Sequence, residues 1–285
     1  MARFVPDADS RRWVIIAPAR IDRPHDNVAT PDIIGRCVFC PGNEALNEEV
    51  FRVGGNGNDR NWRLRVIKNK FPFTDRHEVI IHSPDHEKDL DALPLSQVEL
   101  ILSVYRQRYN YHVNNNHGRV LIFNNHDLHA GASIKHPHTQ VAVIPEAVTP
   151  DTMTREPEQN IVWATAHFVA YCPDFSQWPY ELWLAPKDAE KKTFGEITNE
   201  EITDLAPLLQ KSLAFIIRKF STPGALRKKG DDEVVPYNYY IYHGTDWYLR
   251  IIPRLVHRAG FELGTGISVN IVDPAKAAEE YRKGI

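Results

Sequence analysis

The chain has 285 residues, 42% of them hydrophobic and 25% charged, with a formal net charge of -3. Such a composition belongs to a folded globular protein with room for one large domain or two smaller ones. It lacks both the basic excess of a nucleic-acid binder and a disordered acidic tail. The N-terminus has no apolar run of signal-peptide length, and nowhere do about eighteen apolar residues follow one another. A cytoplasmic protein with neither nucleic-acid nor membrane partners is expected.

In chain order, a first strand is expected at Trp13 to Ala17. Next come Cys37 and Cys40, two of only three cysteines, too close together to be a disulfide framework. Two thiolates at this spacing can chelate one ion from a tight turn, which is half of a tetrahedral zinc site. The spacing alone also suits a redox pair, although the βαβ context of such a motif is missing. The run Gly54-Gly55-Asn56-Gly57-Asn58 reads as an exposed loop tip without the lysine of a phosphate loop. Strands follow at Arg65 to Ile67 and Glu78 to His82, then an amphipathic helix from Leu95 to Tyr111. Two further strands, Arg119 to Phe123 and Gln140 to Ile144, complete the first unit.

The second half repeats this order, with strands at Phe168 to Ala170, Glu181 to Leu184, Tyr239 to Tyr242 and Tyr248 to Ile252, and a helix from about Asn199 to Lys219. Individual residues echo one another: His77-Glu78-Val79-Ile80-Ile81 matches Tyr180-Glu181-Leu182-Trp183-Leu184, and both halves end in Ile-Pro, at Pro145 and Pro253. Two copies of one α+β unit are expected, spanning residues 1–150 and 151–285. Their boundary falls between Pro145 and Gln159, where prolines and polar residues interrupt the pattern. Cys172, alone in an aromatic strand, reads as a buried small hydrophobe.

The segment Gly131-Ala132-Ser133-Ile134-Lys135-His136-Pro137-His138-Thr139-Gln140 leads into the apolar run Val141 to Ile144. On an extended strand His136, His138 and Gln140 would share one face and line a pocket. A solvated strand face gives the same alternation, and would be preferred for an isolated His-x-His. Here the cysteine pair lies upstream, and His86 and His136 are its best candidate co-ligands, since both follow strands that a sheet can bring together.

The order Cys-x-x-Cys, Ser-Pro-Asp-His, then Gly-Ala-Ser-x-x-His-Pro-His-x-Gln resembles galactose-1-phosphate uridylyltransferase and its relative, the ADP-glucose phosphorylase type, in the histidine triad superfamily. The resemblance covers nearly the whole chain, and it implies two histidine-triad-like repeats, each an antiparallel sheet with packed helices. It implies that Cys37, Cys40, His86 and His136 hold one structural zinc ion, that His138 is the nucleophile, and that Ser133 and Gln140 contact phosphate. Arg20, Arg23, Asn69, Asn125 and Gly131 fall where the family meets its substrate. The second half would be catalytically degenerate, with Thr245-Asp246-Trp247 at the level of His136-Pro137-His138. The family's habit, and aromatic residues such as Trp178, Tyr180 and Trp183, imply a homodimer. The segment Gly260 to Gly266 resembles the phosphorylase type, with Thr265 and Gly266 where the uridylyltransferases place a tyrosine and a glutamate on the hexose.

The chemistry of the residues agrees with these roles. A neutral imidazole attacks phosphorus well, and glutamine in the place of the hydrolases' third histidine cannot serve as an acid, which favours transfer over hydrolysis. The leading expectation is uridylyl exchange between UDP-glucose and a hexose 1-phosphate, galactose 1-phosphate above all. The second is adenylyl transfer from ADP-glucose to phosphate. A zinc-stapled binding module with a structural histidine pair is the alternative outside enzymes.

Overall fold

The computed structural model describes residues 2–6, 13–22, 37–56, 60–148, 153–155, 157–188, 190–221, 224, 226, 234–242 and 246–284. Strands β1 (Arg3–Pro6) and β2 (Trp13–Ile16) pair with each other and, among the described residues, with no other strand. The next ten strands form one antiparallel sheet, as alternating or fully apolar runs bounded by turn residues allow. In the first half these are β3 (Glu49–Val53), β4 (Leu64–Lys68), β5 (His77–Ile81), β6 (Arg119–His126) and β7 (His138–Ile144), with helix α1 (Leu95–Asn115) between β5 and β6. The second half supplies β8 (Ile161–Ala164), β9 (Phe168–Tyr171), β10 (Leu182–Pro186), β11 (Tyr237–Tyr242) and β12 (Tyr248–Pro253), with α2 (Asn199–Phe220) between β10 and β11. Helices α3 (Gly260–Thr265) and α4 (Pro274–Lys283) follow.

The strand order is β3-β4-β5-β7-β6-β11-β12-β10-β9-β8. Read from either edge, the arrangement is the same, so the α+β reading with two similar antiparallel units describes the fold. The units meet where β6 pairs with β11, Asn125 opposite Asn238. α1 and α2 lie on one face and share a core with Ile80, Ile122, Val141, Tyr239 and Leu249. Over the opposite face, the first half packs Phe39 and Trp62 against Ile67, Val79 and Ile81, while the second packs Tyr171, Trp183 and Tyr248 together.

Strand alternation corrects two of the expected correspondences, because a slip of one residue turns a side chain to the other face. Glu78 lies on the helix side, where it accepts hydrogen bonds from Arg108 of α1 at 2.6 and 2.8 Å. Glu181, its echo in sequence, instead bonds Arg250 and Trp183 on the far side. Trp247 packs into the helix-side core against Phe168 and Phe194, so it does not stand in for His138. Trp178, Tyr180 and Trp183, proposed as interface aromatics, are all buried. The edge strands β3 and β8 each carry a register irregularity, between Glu49 and Phe51 and between Ile161 and Trp163. Thr245, Gly57 and Asn58 of the glycine-rich tip, and part of the inter-unit boundary lie outside the described residues.

A cysteine–histidine cluster beside a histidine-lined cavity

Cys37 opens a tight turn, closed by the Cys40 N–H donating to the Cys37 carbonyl at 3.2 Å. The Phe39 N–H points at the Cys37 sulfur at 3.4 Å, and the Asn43 side chain donates to the Cys37 carbonyl at 2.8 Å. Glu44 braces the turn from below: its carboxylate accepts from the Gly42 N–H and from the Trp62 indole. Gly42, at φ 98°, supplies the left-handed step that lets the chain turn away.

This turn sits over the ends of β5 and β7 and brings both sulfurs to His86 and His136. The Cys40 sulfur lies 3.2 Å from Nδ1 of His86 and 3.5 Å from Nδ1 of His136, and the Cys37 sulfur 3.8 Å from the latter. All four ligand atoms fall within 4.8 Å of one another. The edge between a sulfur and a nitrogen in a tetrahedral zinc site is about 3.6 Å, given bond lengths near 2.3 and 2.0 to 2.1 Å. The donor set therefore fits a metal ion without rearrangement.

The protons are arranged for the same purpose. Nε2–H of His136 donates to the Ser83 carbonyl at 2.9 Å, which leaves the Nδ1 lone pair toward the thiols. Burial holds the His136 ring neutral, its pKa pushed down to about 4. Burial also pushes the Cys37 thiol up to about 12, with the neighbouring Cys40 adding to it, so the thiolate form needs a cation to stabilise it.

His136 precedes β7 and is wholly buried, whereas β7 begins at His138. The expectation that His136, His138 and Gln140 line one strand face is thus corrected: the proline at 137 lies between a ligand-like histidine below and a strand histidine above. His138 and Gln140 do share a face, and both line a cavity of about 380 Å³ with Ser133, Asn69, Lys68, Lys70, Phe39 and Phe71. Nδ1–H of His138 donates to the His136 carbonyl at 2.8 Å, so the lone pair of its neutral ring is on Nε2. The edge of Phe39 packs against the same ring, centroids 5.3 Å apart.

Gln140 is oriented by a residue that the sequence did not single out. The Phe73 N–H donates to Nδ1 of His77, which puts the ring proton on Nε2, and this donates to Oε1 of Gln140 at 2.9 Å. Asn69 also reaches Oε1, at 3.4 Å, while its own carbonyl accepts from the Phe71 N–H. With its carbonyl so held, Gln140 keeps its NH₂ as a donor for the cavity.

The remaining candidates lie further out. Arg20 donates to the carbonyl of Phe71 at 2.6 Å and stacks over Phe73, which places it at the rim. Asn125 is not in the lining: it donates to the Gly131 carbonyl and accepts from Asn238 of the second half at 2.8 Å. Gly131, at φ 92°, ends the short turn Leu128–Ala130 in a conformation that favours glycine. Arg23 lies outside the described residues.

Comparison with known proteins yields a consistent set. Residues 72–144 match the family described as galactose-1-phosphate uridyl transferase, N-terminal domain. ADP-glucose phosphorylase of Arabidopsis thaliana is 29% identical, over 97% of this chain and 91% of that protein. Galactose-1-phosphate uridylyltransferase of Thermotoga maritima is 24% identical, over 99% and 97%. The crystal structure of an ADP-glucose phosphorylase from Arabidopsis thaliana with bound ADP-glucose superimposes with a TM-score of 0.74, covering 99% of both chains at 28% identity. With this fold, the cysteine–histidine cluster and the cavity lined by His138, the chain is similar over nearly its whole length to galactose-1-phosphate uridylyltransferases and ADP-glucose phosphorylases.

Proposed function

We propose that the protein transfers a nucleoside monophosphate between a nucleoside diphosphate hexose and a phosphate-bearing acceptor, through a covalent nucleotide on His138. The observation that carries this reading is the bond from His138 Nδ1–H to the His136 carbonyl at 2.8 Å, which leaves the Nε2 lone pair on a ring that lines the cavity. Attack by Nε2 on the α-phosphorus forms a P–N bond and breaks the bond to the distal phosphate oxygen, releasing a hexose 1-phosphate. An acceptor phosphate oxygen then attacks the same phosphorus and the imidazole leaves, recovering its lone pair. The Gln140 amide and the Ser133 hydroxyl are the donors for the phosphoryl oxygens, with Lys68 and Lys70 at the wall supplying positive charge. Arg20, Arg23, Asn69, Asn125 and Gly131 remain our candidates for substrate contacts.

Cys37, Cys40, His86 and His136 would hold zinc; with four protein ligands it stiffens the chain below β7 and offers no open position for substrate. The motifs alone favour UDP-glucose and galactose 1-phosphate. The 29% identity to an ADP-glucose phosphorylase, over 97% of the chain, favours the adenylyl form with phosphate as acceptor, and we place it level with the uridylyl form. We also propose a homodimer, supported by the exposed apolar side chains Phe261, Leu263, Ile267, Val269 and Ile271 near the C-terminus. Light scattering is expected to give twice the chain mass, and a monomer at working concentration would remove the dimer.

Incubation with ADP-glucose and UDP-glucose in parallel, followed by intact-protein mass measurement, tests the central reading. The adduct mass names the nucleotide, and the adduct is expected to vanish in His138→Ala. A folded, metal-loaded His138→Ala protein that exchanges at the wild-type rate would overturn the mechanism.

A further inference from the structure

On the helix side of β7, immediately behind His138, lies a buried polar chain that the transfer chemistry does not use. It begins at Asp89, whose carboxylate accepts from the Leu90 N–H (2.7 Å), His82 Nδ1 (2.9 Å), His126 Nδ1 (2.9 Å) and the Tyr237 hydroxyl (3.2 Å). Since Nδ1–H of His82 points at Asp89, its Nε2 is the acceptor, and it lies 2.8 Å from the Thr139 hydroxyl and 3.0 Å from that of Tyr105. The Tyr105 hydroxyl lies 2.5 Å from Thr139 Oγ1 and 2.7 Å from the Tyr239 hydroxyl. Burial raises both phenols above their ordinary pKa, so they remain donors.

The donors can all run one way: Tyr239 to Tyr105, Tyr105 to Thr139, Thr139 to His82, and His82 to Asp89. Each link then polarises the next, and the negative charge at the end aligns them. Thr139 sits between His138 and Gln140. His82 also donates its backbone N–H to the Pro137 carbonyl at 3.1 Å, and Asn124 donates to the His138 carbonyl at 2.7 Å. The peptides on both sides of His138 are thereby held from behind, with one end of the chain anchored on β11 of the second half.

We propose that Asp89, His82, Thr139 and Tyr239 are positioning residues for His138: they fix β7 so that the His138 Nδ1–H stays on the His136 carbonyl and the lone pair stays on Nε2. This rests on the reading of His138 as the nucleophile. In it the second half acts on the chemistry through a phenol on the far side of the sheet.

Thr139→Val removes the hydroxyl at nearly constant volume, and Thr139→Ser keeps it. With metal content matched, Thr139→Val is expected to slow nucleotidylation by ADP-glucose or UDP-glucose by about 10- to 100-fold, the scale of a small misplacement of a reacting group. KM should change by less than about twofold, because the hydroxyl touches no substrate. Thr139→Ser should recover most of the rate. Should Thr139→Val fail to fold, Tyr239→Phe, which deletes only the far hydroxyl, is expected to slow the step by about 3- to 10-fold. Wild-type speed in the folded variant overturns the proposal, as does a loss that appears wholly in KM. If the wild type forms no adduct at all, the nucleotidylation reading falls, and nitrogen-15 spectra of the histidines still decide the positioning. His138 is expected as the Nδ1–H tautomer in wild type and Thr139→Ser, and as a tautomer mixture in Thr139→Val; an unchanged tautomer there overturns it.

Discussion

The two imidazoles flanking the cavity wall keep their protons on opposite nitrogens, and in each a backbone group decides which. A carbonyl fixes the proton of His138 on Nδ1, and the Phe73 N–H leaves that of His77 on Nε2. His77 accordingly works on Gln140, whose amide would otherwise be free to present either end. His77→Ala is expected to lower kcat by about 10-fold, which is about 1.4 kcal/mol of barrier. Metal content and KM should stay near wild type; a steady-state assay beside metal analysis checks this, and an unchanged kcat would leave Gln140 held by Asn69 alone. Such a partnership is hidden from the sequence because 63 positions separate His77 from Gln140, and only the pairing of β5 with β7 brings them together. The His-Pro-His run and the cysteine pair were legible because their chemistry is local to a few residues. The same locality misled about His136, since a proline inside the motif delays the start of the strand by two residues.

At the level of elements, the turn from Cys37 to Leu46 packs Phe39, with Cys37 and Val38 beside it, on Trp62, Ile67, Val79 and Ile81, and it carries the two thiols of the cluster. An ion held by the four donors would tie this turn to His86 and His136 and add to its order. Cys40→Ser, or a strong chelator, is therefore expected to lower Tm by several degrees; for a chain of this size each kcal/mol corresponds to about 2–4 °C. Calorimetry with and without added zinc measures it, and an identical Tm with metal stripped would deny the cluster its structural role. The elements that periodicity revealed are those with one clear apolar face or a continuous apolar run, such as β4, β5, β7 and α2. β1 and β3 mix polar and apolar residues with no single buried face, and β8, although apolar, is only four residues long, so none of the three carries a clear period. α4 has no counterpart in the sequence reading although Asp273 caps it and Pro274 opens it, a start signal that lies beyond Gly260 to Gly266, the last segment interpreted. The repeated order survived all this, because it depends on the sequence of elements and not on their ends.

Across the whole molecule, the buried carboxylate of Asp89 couples stability to pH. Burial alone would raise its pKa, but hydrogen bonds from His126 and His82 outweigh burial and hold it well below the usual carboxylate range. A depressed carboxyl stabilises the fold above the unfolded pKa, near 3.9, and that contribution fades as pH falls through and below it. Asp89→Asn is expected to be less stable than wild type by about 1–3 kcal/mol at pH 7, since donors lose a charged acceptor. The gap should narrow as pH falls from about 5 toward 3, read by urea unfolding at each pH; a constant gap would mean that Asp89 is not charged in the native state. A second whole-molecule consequence comes from the junction of β6 and β11. Two separate five-stranded sheets would offer four rows of unsatisfied amides and carbonyls to neighbouring chains, whereas the joined sheet leaves only β3 and β8 at its ends. Each of those is kinked out of register, and Arg282 of α4 donates to the Ile161 carbonyl on β8. Fusing the halves has thus removed half of the places where another copy could add a strand, and the irregularities blunt the rest, so resistance to fibrous self-association is built into the same sheet that carries the chemistry.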